Sequence, residues 1–230
     1  MPGAKGVSVD MSLPLAISDF STLIFDCDGV VLDSNRVKTD AFYKTTLSYG
    51  ESSALAMVDY HVANGGISRY KKFAHFLEQI VPGRSGPNLG ELLESYAVRA
   101  REGMLSCSIA PGLEDLRRYT FNARWLIVSG GDQDELRDIF SIRGIAKLFD
   151  GGIFGSPDTK DMVLARESAL GNISQPALFL GDSHYDYKAS RAAGFDFVFI
   201  NAWSEWQPDE EWMCRKGIHS ARFLKDLIDE

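Results

Sequence analysis

The feature that most constrains the fold is a series of short apolar runs separated by stretches with helical periodicity. Such runs are typical of buried strands. Strands that alternate with helices pair in parallel and connect through right-handed crossovers. The sequence therefore predicts an α/β fold built on a doubly wound parallel sheet of the Rossmann type. The predicted strands are Thr22–Phe25, Trp125–Val128, Ala177–Leu180 and Phe197–Ile200, with a short one within 149–154; the helices predicted around them are 113–119, 135–142, 161–169, 185–193 and 221–228.

Two aspartates directly follow the first apolar run. Asp26 and Asp28 lie one residue apart, and Gly29 comes next. Strand alternation places both carboxylates on one side and Cys27 on the other. Close carboxylates repel each other, so the pKa of one rises unless a cation compensates. Mg²⁺ is a suitable cation, because it prefers oxygen ligands and binds through few carboxylates together with phosphate. These residues alone leave open a strand that simply ends in a polar turn.

Further polar clusters follow the later strands. Ser129-Gly130-Gly131 comes after the second run, Lys160 precedes a helical pattern, and Asp182 and Asp186 come after the third run. In an open parallel sheet, ligands bind outside the carboxyl ends of the strands. One crevice is therefore expected to collect these aspartates, a hydroxyl group and an ammonium group.

With these four motifs the chain resembles the haloacid dehalogenase superfamily of aspartyl-phosphate enzymes, in the phosphatase and phosphomutase branch. The resemblance extends from about Ser21 to Ile200. It implies a Rossmann-like core with a small all-helical cap inserted between the first and second motifs. The matching residues are Asp26-x-Asp28-Gly29-Val30, Ser129-Gly130, Lys160 and Gly181-Asp182-Ser183-x-x-Asp186.

The resemblance implies a role for each of the acidic residues. Asp26 would attack phosphorus and form an aspartyl-phosphate. Asp28 would protonate the leaving oxygen and then activate water. Mg²⁺ would be held by Asp26, by the backbone carbonyl of Asp28 and by Asp182. Asp186 would position a ligand or pair with Lys160; the alternative is a first-turn aspartate favoured by the helix dipole.

The resemblance also implies how the phosphoryl group is held. Ser129 and the backbone of Gly130 would bind phosphoryl oxygens, with Lys160 as a charged clamp on the transition state. Within the predicted cap, Gly65–Arg69 is similar to the specificity loop of sugar-phosphate mutases. Arg69 would then bind a second anionic group of the substrate by a bidentate contact. A surface arginine at a helix start, capped by Ser68, is the alternative.

The stretch between the first two motifs lacks strand-like runs and carries helical patterns instead. We interpret residues 37–107 as the cap domain, residues 20–36 and 108–230 as the catalytic core, and residues 1–19 as a flexible tail. Helices that simply extend the core are the alternative. The helices predicted within residues 37–107 start near Val37, Leu55, Tyr70 and Leu89. The tryptophan-rich segment 203–214 is interpreted as a connection folded back on the core.

The composition disfavours some classes of binding partner and predicts a cellular location. The 230 residues carry a net charge of −8 and a pI near 5.1, which disfavours nucleic acid and membrane surfaces as partners. No apolar run approaches the ~20 residues that span a bilayer. Three scattered cysteines form neither a zinc motif nor a disulfide framework, so a cytoplasmic location is predicted. The oligomeric state does not follow from the sequence.

The motifs and the composition together predict a Mg²⁺-dependent phosphomonoester hydrolase. Its substrate would be a small phosphorylated metabolite, with a sugar phosphate favoured by the loop that carries Arg69. Two alternatives stay open. One is a phosphomutase similar to β-phosphoglucomutase, which shares the chemistry but excludes water by cap closure. The other is a non-catalytic protein that binds a phosphorylated metabolite, since a fold does not fix a function.

Overall fold

A computed structural model of the chain describes residues 16–228. Its six strands form one parallel sheet in the order β3-β2-β1-β4-β5-β6. This order confirms the predicted doubly wound fold of the Rossmann type. The strands are β1 Thr22–Phe25, β2 Arg124–Asp132, β3 Gly152–Ser156, β4 Ala177–Gly181, β5 Asp196–Ile200 and β6 His219–Ala221.

Four α-helices come between β1 and β2 in the sequence, and we call residues 35–106 the insert. They are α1 Asn35–Thr46, α2 Glu51–Ala63, α3 Arg69–His75 and α4 Leu89–Ser106. The insert has its own buried apolar cluster, which includes Phe42, Met57, Phe73, Phe76 and Tyr96. A separate cluster of this kind is expected if the helices pack mainly on one another. That residues 37–107 form a cap domain stays a prediction, and α1 runs across its predicted start.

Five helices accompany the sheet, and strand alternation explains how they cover both of its faces. Leu23 and Phe25 of β1 belong to one apolar cluster, and Ile24 between them belongs to the other. Helices α5 and α6 pack in the first cluster, and α7 and α8 pack in the second. The five helices are α5 Leu113–Tyr119, α6 Gln133–Ile142, α7 Lys160–Ala169, α8 His184–Ala192 and α9 Glu210–Lys216.

The C-terminal helix predicted at 221–228 is wrong. Only a 3-10 turn at Leu224–Leu227 forms within this range, and Ala221 is the last residue of β6, which pairs in parallel with β5 from Val198 to Ile200. The turn still buries the leucines at its two ends in the core.

Three smaller features concern the insert, the segment 203–214 and the N-terminus. The helix predicted from Tyr70 to Ile80 changes to a π-helical turn at Phe76–Ile80. The segment 203–214 packs on the core as predicted, and it includes the start of α9. Most of the predicted flexible tail, residues 1–15, lies outside the described residues. Ile17, however, is buried in the core and belongs to a short 3-10 helix.

The strand order places a ligand crevice between β1 and β4. The chain runs from β1 outward to β2 and β3, and then returns to the other side of β1 as β4. Ligands bind at such a switch point, outside the carboxyl ends of the strands. Asp26 directly follows β1, and Asp182 directly follows β4. Among the described residues, no helix is long and apolar enough to cross a membrane.

Candidate active site

Asp26 and Lys160 form a buried ion pair at the end of β1. The Lys160 Nζ lies 2.9 Å from Oδ1 of Asp26, and both side chains are almost fully buried. Lys160 is the first residue of α7, and Thr159 caps this helix by accepting a hydrogen bond from the N–H of Met162. The helix start therefore fixes the position of the lysine. Lys160 also pairs with Asp186, as predicted for one of the two alternatives.

The electrostatics of this pair favour a charged lysine more clearly than a charged aspartate. Burial raises the pKa of Asp26 to about 7; Lys160 opposes this rise, and Asp186 and Asp28 add to it. Burial disfavours the charged form of Lys160, but Asp186 and Asp26 outweigh it and raise the lysine pKa. Positive charge beyond that of Lys160 would favour the ionised form of Asp26 at neutral pH.

Three carboxylates form what we call the acidic cluster: Asp26, Asp182 and Asp186. One oxygen from each lies within 4.8 Å of the others, and all three residues are buried. Burial raises the pKa of Asp182 well above its usual range, and Asp26 and Asp186 raise it further. One lysine does not balance three carboxylates. Their hard oxygen ligands and excess negative charge fit a divalent cation such as Mg²⁺.

Gly29 allows the loop after β1 to approach the acidic cluster. Its φ of +74° lies in the left-handed region, and a side chain there would overlap the carboxylate of Asp182 and the amide of Asn35. Asn35 donates a hydrogen bond of 2.6 Å to Asp182. A glycine is needed here for both its conformation and its small size.

The Asp28 side chain turns away from the acidic cluster and toward the insert. Ser34 Oγ donates to its Oδ1 at 2.5 Å, and the Lys38 Nζ lies 2.5 Å from its Oδ2. Burial opposes ionisation of Asp28, but Lys38 outweighs it and lowers the pKa of the carboxyl group. In this arrangement Asp28 is poised to accept a proton rather than to donate one.

The predicted phosphate-binding residues Ser129 and Gly130 lie within the last part of β2, where the insert touches the core. Ser129 is buried, and its Oγ accepts a hydrogen bond of 3.0 Å from the N–H of Gly131. A side chain at Gly130 would overlap the carbonyl of Gly66, which belongs to the loop between α2 and α3. This loop of the insert therefore closes directly over the carboxyl end of β2.

A cavity of about 280 Å³ lies between the acidic cluster and the insert, and we call it the central cavity. Its volume suits a small metabolite. Both parts of the chain supply titratable groups to its wall. These include Asp26, Asp28 and Asp182 on one side and Lys38, His61 and Lys72 on the other. A smaller cavity of about 210 Å³ lies beside Lys160, and Gly66 and Gly130 line both.

Arg69 also lines the central cavity, but its guanidinium is already paired. Its two terminal nitrogens lie 2.6 and 2.7 Å from the carboxylate oxygens of Glu135, which is on α6. Tyr70 donates a hydrogen bond of 2.7 Å to Asp132, which caps the same helix. These contacts connect the insert to the core. The predicted contact of Arg69 with substrate stays a prediction.

Sequence reasoning missed Lys38, His61 and Lys72. One signal was available for Lys72, because it lies four residues before Phe76 on the apolar side of a helix, where a lysine is unusual. Lys38 follows Ser34 by one helical turn, so both can reach Asp28 together. His61 gave no comparable signal, since only the packing of α2 in the insert, chiefly against α1, brings it to the cavity.

The fold and the site together define a Rossmann-type α/β protein with an acidic cluster at the switch point of its sheet. The chain belongs to the haloacid dehalogenase-like hydrolases, whose family model matches residues 20–194. The predicted membership of this family, and with it the prediction of an enzyme, is confirmed. No curated protein is similar enough in sequence to match the chain.

Three solved structures share the fold over most of their length. A candidate phosphoglycolate phosphatase from Lactobacillus plantarum is 19% identical with a TM-score of 0.69, and the match covers 91% of this chain and 98% of that one. CbbY from Rhodobacter sphaeroides, in complex with phosphate, is 18% identical with a TM-score of 0.66, and the match covers 90% of this chain and 96% of that one. A candidate β-phosphoglucomutase from Thermotoga maritima is 15% identical with a TM-score of 0.63, and the match covers 91% of this chain and 97% of that one. Identities this low establish a shared fold only.

Proposed function

We propose that this chain is a Mg²⁺-dependent phosphatase that hydrolyses a small phosphorylated metabolite through an aspartyl-phosphate on Asp26. One observation carries the proposal. The Asp26 carboxylate is paired with Lys160 inside a buried acidic cluster, and this cluster faces a cavity large enough for a small metabolite. A fixed carboxylate beside a fixed ammonium is suited to attack phosphorus while the charge on the phosphoryl oxygens is neutralised.

The first step transfers the phosphoryl group to the protein. An oxygen of Asp26 forms a bond to phosphorus, and the ester bond between phosphorus and the leaving oxygen breaks. Asp28 gives a proton to that oxygen, so the leaving group departs as an alcohol. Because Lys38 and Ser34 hold Asp28 ionised in the present arrangement, an incoming substrate must loosen these contacts before this step.

The second step returns the phosphoryl group to water. Asp28 takes a proton from a water molecule, whose oxygen attacks phosphorus and releases Asp26. The ionised state that Lys38 favours is the state this step needs. The Lys160 ammonium, the Ser129 hydroxyl and the Gly130 N–H would hold the phosphoryl oxygens during both steps.

The acidic cluster is the proposed metal site. Asp26 and Asp182 would hold Mg²⁺ through their carboxylates, and Asp28 would hold it through its backbone carbonyl. The bound ion would offset the negative charge of the phosphoryl group. Asp186 accepts hydrogen bonds from the N–H and Oγ of Ser183 and pairs with Lys160, so it would orient the lysine.

A sugar phosphate is our proposed substrate class, because the insert closes over the site with a loop similar to that of sugar-phosphate mutases. Two of the structural neighbours are named for a phosphatase and a phosphomutase of small metabolites. A phosphomutase is the second candidate, favoured by the contact of Gly66 with Gly130, since a closed insert limits the access of water. We also propose a cytoplasmic location and no nucleic-acid or membrane partner.

Phosphate release from p-nitrophenyl phosphate and a panel of sugar phosphates tests this proposal. We expect release that requires Mg²⁺, is abolished by a chelator and is restored when Mg²⁺ is added back. Incubation with a sugar monophosphate and a trace of its bisphosphate separates the two candidates. A phosphatase yields inorganic phosphate, and a mutase yields the isomeric sugar phosphate. The absence of both products with every substrate would overturn the proposal.

A further inference from the structure

Lys72 is a buried lysine without a carboxylate partner. It is 2% exposed, lies on α3 and lines the central cavity. Its Nζ contacts His61 Nδ1 at 2.6 Å and the His61 carbonyl at 3.3 Å, and it lies 5.5 Å from the centre of the Phe42 ring. By contrast, Lys38, Lys160 and Arg69 around the same site each pair with a carboxylate.

His61 presents an unsatisfied donor next to Lys72. A lysine ammonium only donates, so its contact with Nδ1 makes that nitrogen the acceptor and places the ring hydrogen on Nε2. His61 Nε2 is buried and has no hydrogen-bond partner. The nearest carboxylate oxygen, of Glu205, is 4.0 Å away, and the other oxygen of Glu205 accepts from Thr39.

A buried ammonium beside an unpaired N–H is an unfavourable arrangement unless something else completes it. Burial and the nearby Lys38 lower the pKa of Lys72 to about 7, and Asp28 and Glu205 oppose this shift only in part. Burial, together with Lys72 and Lys38, also lowers the pKa of His61, so the ring is neutral. An oxyanion in the cavity would give Lys72 the negatively charged partner that it lacks, and His61 offers an N–H on the same wall of the cavity.

We propose that Lys72 and His61 form an anion subsite for a second charged group on the substrate. The group is a carboxylate or a second phosphate, carried on the part of the molecule that leaves when the phosphoryl group is transferred. This inference rests on the proposed function, because it places the transferred phosphoryl group at Asp26, in the same cavity. It differs from the predicted role of Arg69, whose guanidinium is occupied by Glu135.

The test uses substrate pairs that differ only in the second charge. We would measure kcat/KM for 3-phosphoglycerate against glycerol 3-phosphate, and for fructose 1,6-bisphosphate against fructose 6-phosphate. The first pair reports on a carboxylate and the second on a phosphate. We expect the wild-type enzyme to prefer the charged member of at least one pair by about 10- to 100-fold, as for a charge-assisted hydrogen bond. A preference below threefold in both pairs would overturn the proposal.

Variants then assign the preference to these residues. Lys72→Met and His61→Gln should each remove most of the preference through a higher KM, while turnover of p-nitrophenyl phosphate stays near the wild-type value. Lys72→Arg, which keeps the charge, should retain part of it. Lys44→Met is the matched control, because Lys44 is a half-exposed lysine of the insert. A preference that survives both Lys72→Met and His61→Gln would assign the subsite elsewhere.

Two further outcomes separate this inference from the proposed function. If no ester is hydrolysed, including p-nitrophenyl phosphate with Mg²⁺, the proposed function fails; calorimetric binding of 3-phosphoglycerate against glycerol 3-phosphate then tests the subsite without turnover. If Lys72→Met lowers the melting temperature and leaves the wild-type preference unchanged, Lys72 serves only to link α2 and α3. That result would overturn the inference alone.

Discussion

The Lys38 Nζ lies 2.5 Å from Oδ2 of Asp28, so the first helix of the insert directly contacts the residue assigned to proton transfer. Lys38 lies on α1, whereas Asp28 lies in the loop after β1. The contact lowers the pKa of Asp28. Any movement of α1 relative to the sheet would therefore change both the position and the charge of this carboxylate. The position of the insert and the ionisation of Asp28 are therefore linked through this contact.

Lys38→Met should slow the breakdown of the phosphoenzyme more than its formation. The variant removes the partner that holds Asp28 ionised and in place, and acid–base groups contribute roughly 10²–10⁴-fold. We expect turnover to fall about 10-fold or more and the phosphorylated protein to accumulate, as measured by intact mass after mixing with substrate. Lys44→Met, in the same helix, should behave like the wild type. Faster turnover in Lys38→Met would show that the ion pair restrains Asp28 rather than supporting it.

Asp26→Asn should abolish phosphate release. The substitution removes the attacking oxygen's charge and nearly preserves its shape, so the loss reports on the nucleophile rather than on folding. We expect less than about a hundredth of wild-type activity. Circular dichroism and the melting temperature should confirm a folded variant. Substantial residual activity in a folded sample would exclude the covalent mechanism.

Asp28→Asn should leave the nucleophile intact but remove the general acid and base. We expect a decrease in turnover of roughly 10²–10⁴-fold. With p-nitrophenyl phosphate, whose leaving group needs little protonation, the first step should survive and the phosphoenzyme should be trapped. Intact-mass measurement would detect the added phosphoryl group. Wild-type turnover in this variant would rule out the assigned role.

Arg69→Ala and Glu135→Gln should have similar effects if the ion pair holds the insert on the core. Both variants break the same bidentate contact, so we expect comparable decreases in kcat/KM for every substrate, and a double variant no worse than either one. A double-mutant cycle on kcat/KM measures this coupling. The opposite result is a higher KM for anionic substrates in Arg69→Ala alone. It would support the predicted contact of Arg69 with substrate.

Lys72→Met should stabilise the protein near neutral pH. The pKa of Lys72 is lowered from 10.5 to about 7, so between these values the unfolded chain binds more protons than the folded one. The free-energy cost of burying the protonated Lys72 is therefore fully present below about pH 7 and disappears as the pH rises toward 10.5. At about 1.4 kcal/mol per pKa unit, Lys72→Met should raise the free energy of unfolding by an amount on the order of 4 kcal/mol at pH 7.

Urea denaturation of both proteins at pH 7 and pH 9.5 checks this prediction. The difference in free energy of unfolding between Lys72→Met and the wild type should be smaller at pH 9.5 than at pH 7. Lys44→Met is the control for removal of an exposed lysine. An advantage that is constant with pH would indicate an effect of packing rather than of charge. The groups that face Lys72 are His61, Lys38, Asp28 and Glu205, so the unfolding data should be fitted with all of them.

Most of the core site was predictable because its residues follow strands of one parallel sheet. Asp26 and Asp182 end neighbouring strands, so their proximity follows from the strand order that the alternating pattern implies. Lys160 and Asp186 lie in the first turns of helices that begin just after strands. In the predicted C-terminal helix only a 3-10 turn at Leu224–Leu227 forms, and Ala221 belongs to β6, whose pairing with β5 is not recorded in local periodicity.

The sequence by itself determined the Rossmann-type fold, the family and the residues at the strand ends, because these depend on local pattern and on the topology of a parallel sheet. Only the tertiary structure decided what the insert contributes. The pairing of Lys38 with Asp28, the pairing of Arg69 with Glu135, and the contact of Lys72 with His61 all depend on how helices pack across the site. Packing between helices is set by side-chain shape over long sequence separations, which no short motif records.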